Sequence, residues 1–172
     1  MKTPLREQSG DTFGHYASAA FLTVGGIPDY LYFLPRILDI TIHDGGWWPS
    51  IEVTARSIVN SGLHSWPPER RGSLDRLLRA VVQNLTDNGP YDEIDDWMCA
   101  IGKMDLDVRP YLHIIETNPD AVLDFWKYNS RELDLGHLGN AFWEGKENKQ
   151  YDAIVDWFNS PKINLMCVEA LN

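Results

Sequence analysis

The stretch PPERRGSLDRLLRAVVQNLTDNGP, residues 67–90, decides the fold class of this chain. Its apolar residues recur three and four positions apart and therefore share one face of a helix. They are Leu74, Leu77, Leu78, Val81, Val82 and Leu85. The closing Asn88–Gly89–Pro90 is typical of a helix end, because glycine suits a helix C-terminus and proline cannot continue a helix. The stretch predicts a long amphipathic helix from Pro67 to Thr86.

Turn and cap signals divide the rest of the chain into further helix-length segments, and few segments alternate as a strand does. Helices are predicted over 12–23, 28–43, from Ser50 to Gly62, 91–101, 109–117, 119–129, 149–159 and 161–171, with 130–146 less regular. Proline stands at a favoured first helical position in several of them. The sequence therefore predicts an all-α fold of antiparallel helix pairs, stacked as a short α-α superhelix or as an irregular helical bundle.

The composition is that of a globular protein, with 172 residues, 44 % of them hydrophobic and 23 % charged. We expect a single helical domain over 1–172, in which residues 1–11 form a loose N-terminal arm. Cys99 and Cys167 lie far apart and outside any CxxC pattern, which favours a reduced, cytoplasmic protein. The apolar stretch 17–24 follows acidic residues and is short, unlike a signal peptide, and we expect no membrane span.

Two segments nearly repeat each other: YDEIDDW at 91–97 and YDAIVDW at 151–157. A similar tryptophan lies between them, so that Trp97, Trp126 and Trp157 are separated by 29 and 31 residues. A period near 30 is typical of a two-helix unit stacked on copies of itself. We expect each tryptophan to lie in the core with the neighbouring acids on the outer side of its helix. The alternative is a functional site that occurs twice.

The formal net charge of −10 is concentrated in the second half of the chain. Residues 1–86 carry eight basic and eight acidic side chains, whereas 87–172 carry seven basic and seventeen acidic ones. The segment 87–107 alone holds seven acids: Asp87, Asp92, Glu93, Asp95, Asp96, Asp105 and Asp107. A helix dipole favours acids at its N-terminus, which accounts for Asp92 and Glu93 without any function. For the whole set, the alternative to a binding surface is a solvated acidic face.

An acidic surface attracts a basic partner and speeds its association. We therefore expect a non-enzymatic, protein-binding role without a cofactor, and an immunity or inhibitor protein against a basic toxin or nuclease is its specific form. The expected contact residues are Asp92, Glu93, Asp95, Asp96, Asp105 and Asp107. Arg70, Arg71, Arg76 and Arg79 cluster on the long helix, but the isoelectric point near 4.8 argues against nucleic acid as the partner.

The alternative function is an enzyme or small-ligand binder with a pocket between the helix 28–43 and the following loop. Its polar and aromatic groups would come from Arg36, Asp39, His43, Trp47 and Trp48, together with Asp29 and Tyr30. Because two adjacent indoles on an irregular segment rarely both face inward, we expect one of the two tryptophans to be exposed. For Arg36, the competing interpretation is a paired structural charge.

No motif for metal or covalent chemistry is complete. Asp39 with His43, and His113 with Glu116, have the spacing of two ligands on one helix face, but a metal site needs three or four ligands or an open position. Neither cysteine has a histidine near it in sequence. The glycine pairs lack the spacing and the lysine of a phosphate-binding loop. We therefore predict no metal and no catalytic nucleophile.

The segment DYLYFLPRILDI, residues 29–40, and the later step SWPPERR resemble a family of uncharacterised bacterial proteins. The resemblance rests on Phe21, Thr23, Gly25, Asp29, Tyr30, Phe33, Leu34, Pro35, Arg36, Trp66, Glu69 and Arg70. It covers mainly residues 12–86. Many relatives carry a CPxC-type cysteine pair upstream, which this chain lacks. The resemblance implies a bacterial source and a helical fold, and it implies no activity.

Overall fold

The computed structural model describes residues 4–20, 25–44, 46–144 and 148–171. Nine α-helices and three short 3₁₀ helices account for the secondary structure of these residues, which confirms the all-α prediction. None of the helices in these ranges combines the length and apolar character that crossing a membrane requires. The chain divides into two compact units, Met1–Trp66 and Pro67–Asn172. The expectation of a single domain stays a prediction.

The first unit contains α1 (Gly10–Ala19), α2 (Ile27–His43) and α3 (Ile51–Asn60). The helix α1 contacts both of the others. Its Phe13 ring lies edge-on against Phe33 of α2, with ring centroids 5.4 Å apart. The sequence predicted α1 over 12–23, but it begins at Gly10, and residues 21–24 lie outside the described ranges.

The second unit is built from α4 (Pro68–Asn88), α5 (Glu93–Lys103), α6 (Arg109–Ile115), α7 (Pro119–Asp134), α8 (Lys149–Phe158) and α9 (Pro161–Ala170). The predicted stripe of α4 is buried except for Leu77, which is half-buried. The helix α4 ends at Asn88, two residues beyond the predicted Thr86, and Gly89 follows with a φ of 70°, which confirms the predicted glycine stop. The helix α7 continues to Asp134, which corrects both the predicted end at 129 and the irregular start of 130–146.

The helix α5 is the most enclosed element of the second unit. It contacts α4, α7 and α8, and its residues Trp97 to Gly102 are all buried. Gly102 is required because a Cβ there would come within 2.3 Å of the Trp143 ring. A helix that is packed on several sides buries more of its circumference than one amphipathic face. The packing of α5 on several sides therefore determines which of its acidic side chains are exposed to solvent.

The repeated tryptophans do not occupy equivalent positions. Trp97 and Trp157 are buried, as expected, whereas Trp126 is only half-buried. Its neighbour Phe125 takes the core position and contacts Trp157 and Phe158, with ring centroids 5.8 Å and 4.8 Å away. The prediction of a core tryptophan at 126 is wrong by one position. The helical repeat itself stays a prediction.

Candidate functional site

The acidic segment 87–107 is divided by α5. Asp92 and Glu93 lie at the N-terminal end of this helix, and Asp105 and Asp107 lie beyond its C-terminal end. A helix of eleven residues is about 16 Å long at 1.5 Å per residue. The six predicted contact residues therefore do not form one continuous patch.

Asp95 is buried, with 4 % of its surface exposed, which corrects the expectation that it lies on an outer contact surface. Its Oδ1 accepts a hydrogen bond from Asn129 Nδ2 at 2.8 Å. Asn129 is fully buried, and its Oδ1 in turn accepts a hydrogen bond from the Gly139 amide at 2.8 Å. Because α5 is packed against α4, α7 and α8, the side of the helix that carries Asp95 faces α7 and not solvent. Asp95 is a structural residue that joins two elements.

Asp96 is half-buried and also faces a neighbouring segment. Its Oδ1 accepts a hydrogen bond from Asn140 Nδ2 at 3.1 Å, and Asn140 is itself buried. Asn140 also caps the short 3₁₀ helix Ala141–Trp143, since its side chain accepts a hydrogen bond from the Phe142 amide. The carboxylate of Asp96 therefore helps to fasten the segment after α7 to α5.

The acids beyond α5 lie next to cations. Asp105 Oδ1 lies 3.5 Å from Lys149 Nζ and accepts a hydrogen bond from Gln150 Nε2 at 3.3 Å. Asp107 Oδ1 lies 3.2 Å from Arg109 Nη1. Both acids are exposed. Their charges are partly compensated, which makes them weaker candidates for attracting a basic partner than uncompensated acids.

At the N-terminal end of α5, the segment that carries Asp92 and Glu93 is joined to the segment that carries Asp120, an acid that the sequence did not single out. Asn118 Nδ2 donates hydrogen bonds to the Thr86 carbonyl at 2.6 Å and to the Tyr91 hydroxyl at 3.2 Å. Its Oδ1 accepts one from the Asp120 amide at 3.0 Å, where it caps α7. A single side chain thus joins the end of α4, the start of α5 and the start of α7.

Each of these three helix ends carries at least one acid, which lies one or two residues along the chain from Thr86, Tyr91 or Asn118. We call Asp87, Asp92, Glu93 and Asp120 the acidic corner. Asp87, Asp92 and Asp120 are exposed, and Glu93 is half-buried. Within the described part of the chain, none of the four carboxylates forms an ion pair, and Asp87 accepts only a neutral hydrogen bond from Gln83.

Two acids of the corner, Asp92 and Glu93, lie close enough for their charges to repel. Partial burial raises the pKa of Glu93, and the neighbouring charge of Asp92 raises it further. Asp87 lies in the last turn of α4, where the helix dipole disfavours an acid. The helix dipole favours Asp92, Glu93 and Asp120, which lie at helix N-termini, but it does not favour Asp87. Asn118–Pro119 is a sequence pattern typical of a helix start, but it predicts only the start of α7 and not its proximity to α5.

The residues of the alternative pocket are engaged in local structure. Arg36 donates to the Gln8 carbonyl from Nε at 3.1 Å and from Nη2 at 2.7 Å, and it pairs with Asp39. His43 Nδ1 lies 2.8 Å from the Asp39 carbonyl oxygen and 3.3 Å from its Oδ1. Arg36 therefore has the role of a paired structural charge. It ties Gln8 to α2, while residues 1–3 lie outside the described ranges, and the expectation of a loose arm over 1–11 stays a prediction.

The two adjacent tryptophans differ as predicted. Trp48 is 62 % exposed, whereas Trp47 is half-buried and donates from Nε1 to the Gly10 carbonyl at 2.9 Å. A Cβ at Gly10 would come within 2.8 Å of the Trp47 ring, so the glycine permits this close approach. Trp47 thus helps to hold the start of α1.

The pairs with metal-ligand spacing also have other contacts. Glu116 is bonded to Trp157 and Lys162, and His113 Nδ1 lies 2.7 Å from the Arg109 carbonyl oxygen. In the residues that the structure describes, no three His, Cys, Asp or Glu side chains gather in an arrangement that holds a metal ion.

Comparison with known proteins adds no relative: the chain matches no protein-family model, no curated protein sequence and no solved structure. The resemblance drawn from the segment 29–40 and the step at Trp66 stays a prediction. Two of the residues that carry it, Phe21 and Thr23, lie outside the described ranges.

Proposed function

We propose that this protein acts by binding a basic protein partner, and that the acidic corner is the principal contact. The observation that supports the proposal is that Asn118 joins the three segments that carry these four carboxylates, none of which forms an ion pair with a described residue. Clustered like charges destabilise a compact fold slightly. A basic partner relieves this repulsion on binding.

The chemistry of the corner favours a partner with exposed lysine or arginine side chains. Carboxylates form charge-assisted hydrogen bonds with ammonium and guanidinium groups, and an acidic surface steers such a partner during its approach. A nucleic acid carries phosphates, which the corner repels. An immunity or inhibitor protein against a basic toxin or nuclease is the specific form of this proposal.

The cysteines bear on the compartment in which such binding takes place. Cys99 and Cys167 are both free and buried. Free thiols are typical of a reducing environment. They support the further proposal that the protein works in the cytoplasm.

The test compares two variants with the same change in net charge. The corner variant carries Asp87→Lys, Asp92→Lys and Asp120→Lys. The control carries Asp134→Lys, Asp152→Lys and Asp156→Lys, which are exposed acids away from the corner. Each protein is immobilised, exposed to extract of the native organism, and washed with rising salt after circular dichroism has shown equal folding.

We expect the wild type and the control to retain the same basic protein at low salt and to release it at about 1 M salt, where the Debye length is about 3 Å. The corner variant should retain none of it. Equal loss of binding in both variants would show that net charge alone attracts the partner. Equal retention in both would show that the contact lies elsewhere on the surface.

A further inference from the structure

A second feature of the chain is a cavity of about 450 Å³ in the second unit. It lies between the end of α7, the segment 138–144 and the start of α8. Its lining includes Glu132, His137, Trp143, Glu144 and Tyr151. Its volume falls in the range of small-molecule sites. No residue of the acidic corner lines it, so a ligand of this cavity would bind independently of the proposed function.

The end of α7 places Glu132 at the cavity. Gly136 has a φ of 88°, its amide donates to the Leu133 carbonyl, and the His137 amide donates to the Glu132 carbonyl, both at 3.0 Å. This is the Schellman arrangement, which turns the chain back on the helix end. As a result, His137 Nε2 lies 3.4 Å from Glu132 Oε2. The turn therefore places the His137 ring beside the Glu132 carboxylate.

Two aromatic side chains form the wall of the cavity. Trp143 is 3 % exposed and Tyr151 is 9 % exposed, and their rings meet at 76° with centroids 5.4 Å apart. The Tyr151 hydroxyl accepts a hydrogen bond from the Leu138 amide at 3.2 Å, and Trp143 is held against Gly102. This wall is fixed before any ligand enters, which lowers the entropy lost on binding.

Among the described residues that line the cavity, the permanent charges are all negative. Glu132 and Glu144 contribute two carboxylates, and Glu144 is exposed. No lysine or arginine is among the described residues that line the cavity. His137 becomes a cation only when protonated. Carboxylates beside aromatic rings recognise organic cations, because the former accept charge-assisted hydrogen bonds and the latter attract positive charge to their faces.

We propose that this cavity binds a guanidinium or alkylammonium group. The cation lies between Glu132 and Glu144, against the wall formed by Trp143 and Tyr151. Two sources share this chemistry: a free small molecule, and an arginine or lysine side chain of a peptide.

The test follows the indole N–H resonance of Trp143 in the ¹⁵N-labelled protein, identified by its loss in Trp143→Phe. The probes are methylguanidinium and its neutral counterpart methylurea, which has nearly the same shape. We expect a saturable shift with methylguanidinium, with a dissociation constant on the order of 1 mM, and none with methylurea. A tripeptide Gly-Arg-Gly that binds at least tenfold tighter than methylguanidinium indicates the peptide source, and equal affinities indicate the free molecule.

Glu144→Gln tests the charge without disturbing the fold, because the Glu144 side chain forms no hydrogen bond or ion pair with any described residue. We expect it to weaken methylguanidinium binding about tenfold, and Glu132→Gln to do the same. Glu169→Gln, an exposed acid of α9, is the matched control and should bind as the wild type does. The proposal is overturned if methylguanidinium gives no saturable shift, if methylurea gives the same shift, or if Glu144→Gln binds as well as the control.

Discussion

Glu116, the residue after α6, accepts a hydrogen bond from the indole Nε1 of Trp157 in α8 at 2.7 Å. Its other oxygen, Oε2, accepts one from Lys162 Nζ in α9 at 2.5 Å. The Glu116 side chain is only 12 % exposed. One carboxylate therefore joins three helices of the second unit, although its two partners lie more than forty residues away in the sequence.

This arrangement predicts a pH-dependent contribution to stability. Burial by itself raises the pKa of Glu116, but the hydrogen bonds from Lys162 and Trp157 outweigh it and hold the pKa below the ordinary value of 4.5. The folded state thus favours the ionised form. The stabilisation is present above pH 4.5 and is lost as the pH falls through the folded pKa.

We expect Glu116→Gln to lower the free energy of unfolding by about 1–2 kcal/mol at neutral pH. The difference from the wild type should shrink at an acidic pH below the folded pKa, where the carboxyl is protonated. Urea unfolding at both pH values measures it. Glu169→Gln is the control and should differ little from the wild type at either pH. A Glu116→Gln difference that is the same at both pH values would contradict the ionised carboxylate described above.

The core position at 125 predicts unequal effects of truncating two adjacent aromatic residues. Phe125→Ala removes a ring that contacts Trp157 and Phe158, and it should cost about 3–5 kcal/mol of unfolding free energy. Trp126→Ala should cost clearly less, because this indole is half-buried. Chemical denaturation of the two variants measures the difference. A larger loss from Trp126→Ala would instead support the repeat in its predicted register.

The contact of Gly102 with Trp143 predicts that a single methyl group destabilises the second unit. Gly102→Ala forces the indole or the helix to move, at a cost of about 1–3 kcal/mol. Gly72→Ala is the matched control, because the Cβ at this α4 position meets only the end of the Arg76 side chain, at 3.5 Å. There alanine should stabilise the helix by up to about 1 kcal/mol. Thermal unfolding should therefore move in opposite directions in the two variants.

The buried hydrogen bonds of Asn129 predict that truncating its side chain destabilises the fold. Asn129→Ala removes the donor to Asp95 and the acceptor for the Gly139 amide, and we expect a loss of about 2–3 kcal/mol. Asn164→Ala on the exposed surface of α9 is the control and should change stability by less than about 0.5 kcal/mol. If urea unfolding shows equal effects, Asp95 does not depend on this partner.

Local patterns were enough to predict most helices. The apolar stripe of α4 and its glycine stop were both predicted correctly, because helix period and capping depend on residues within a few positions of each other. Exposure of one of the two adjacent tryptophans, confirmed at Trp48, follows from equally local geometry. The end of α7 was missed, since Gly136 lies beyond the residues at which the sequence analysis placed the stop.

The candidate site could be predicted only in part. Asp92 and Glu93 were named from charge density, but the same density also named Asp95, which lies in the core. Asp120 was not named, because its proximity to the other acids depends on hydrogen bonds of Asn118 that span 27 and 32 residues. Charge density along a chain does not report which side of a helix faces solvent.

The sequence by itself determined that this chain is helical, where most of its helices begin and end, and that its negative charge lies in the second half. The tertiary structure alone decided that Phe125 rather than Trp126 enters the core, that Asp95 is buried, and that Asp120 joins the acidic corner. The physical reason is that helix formation depends on neighbouring residues, whereas burial depends on which helices pack against a given face. That packing is set by contacts between residues far apart in the sequence.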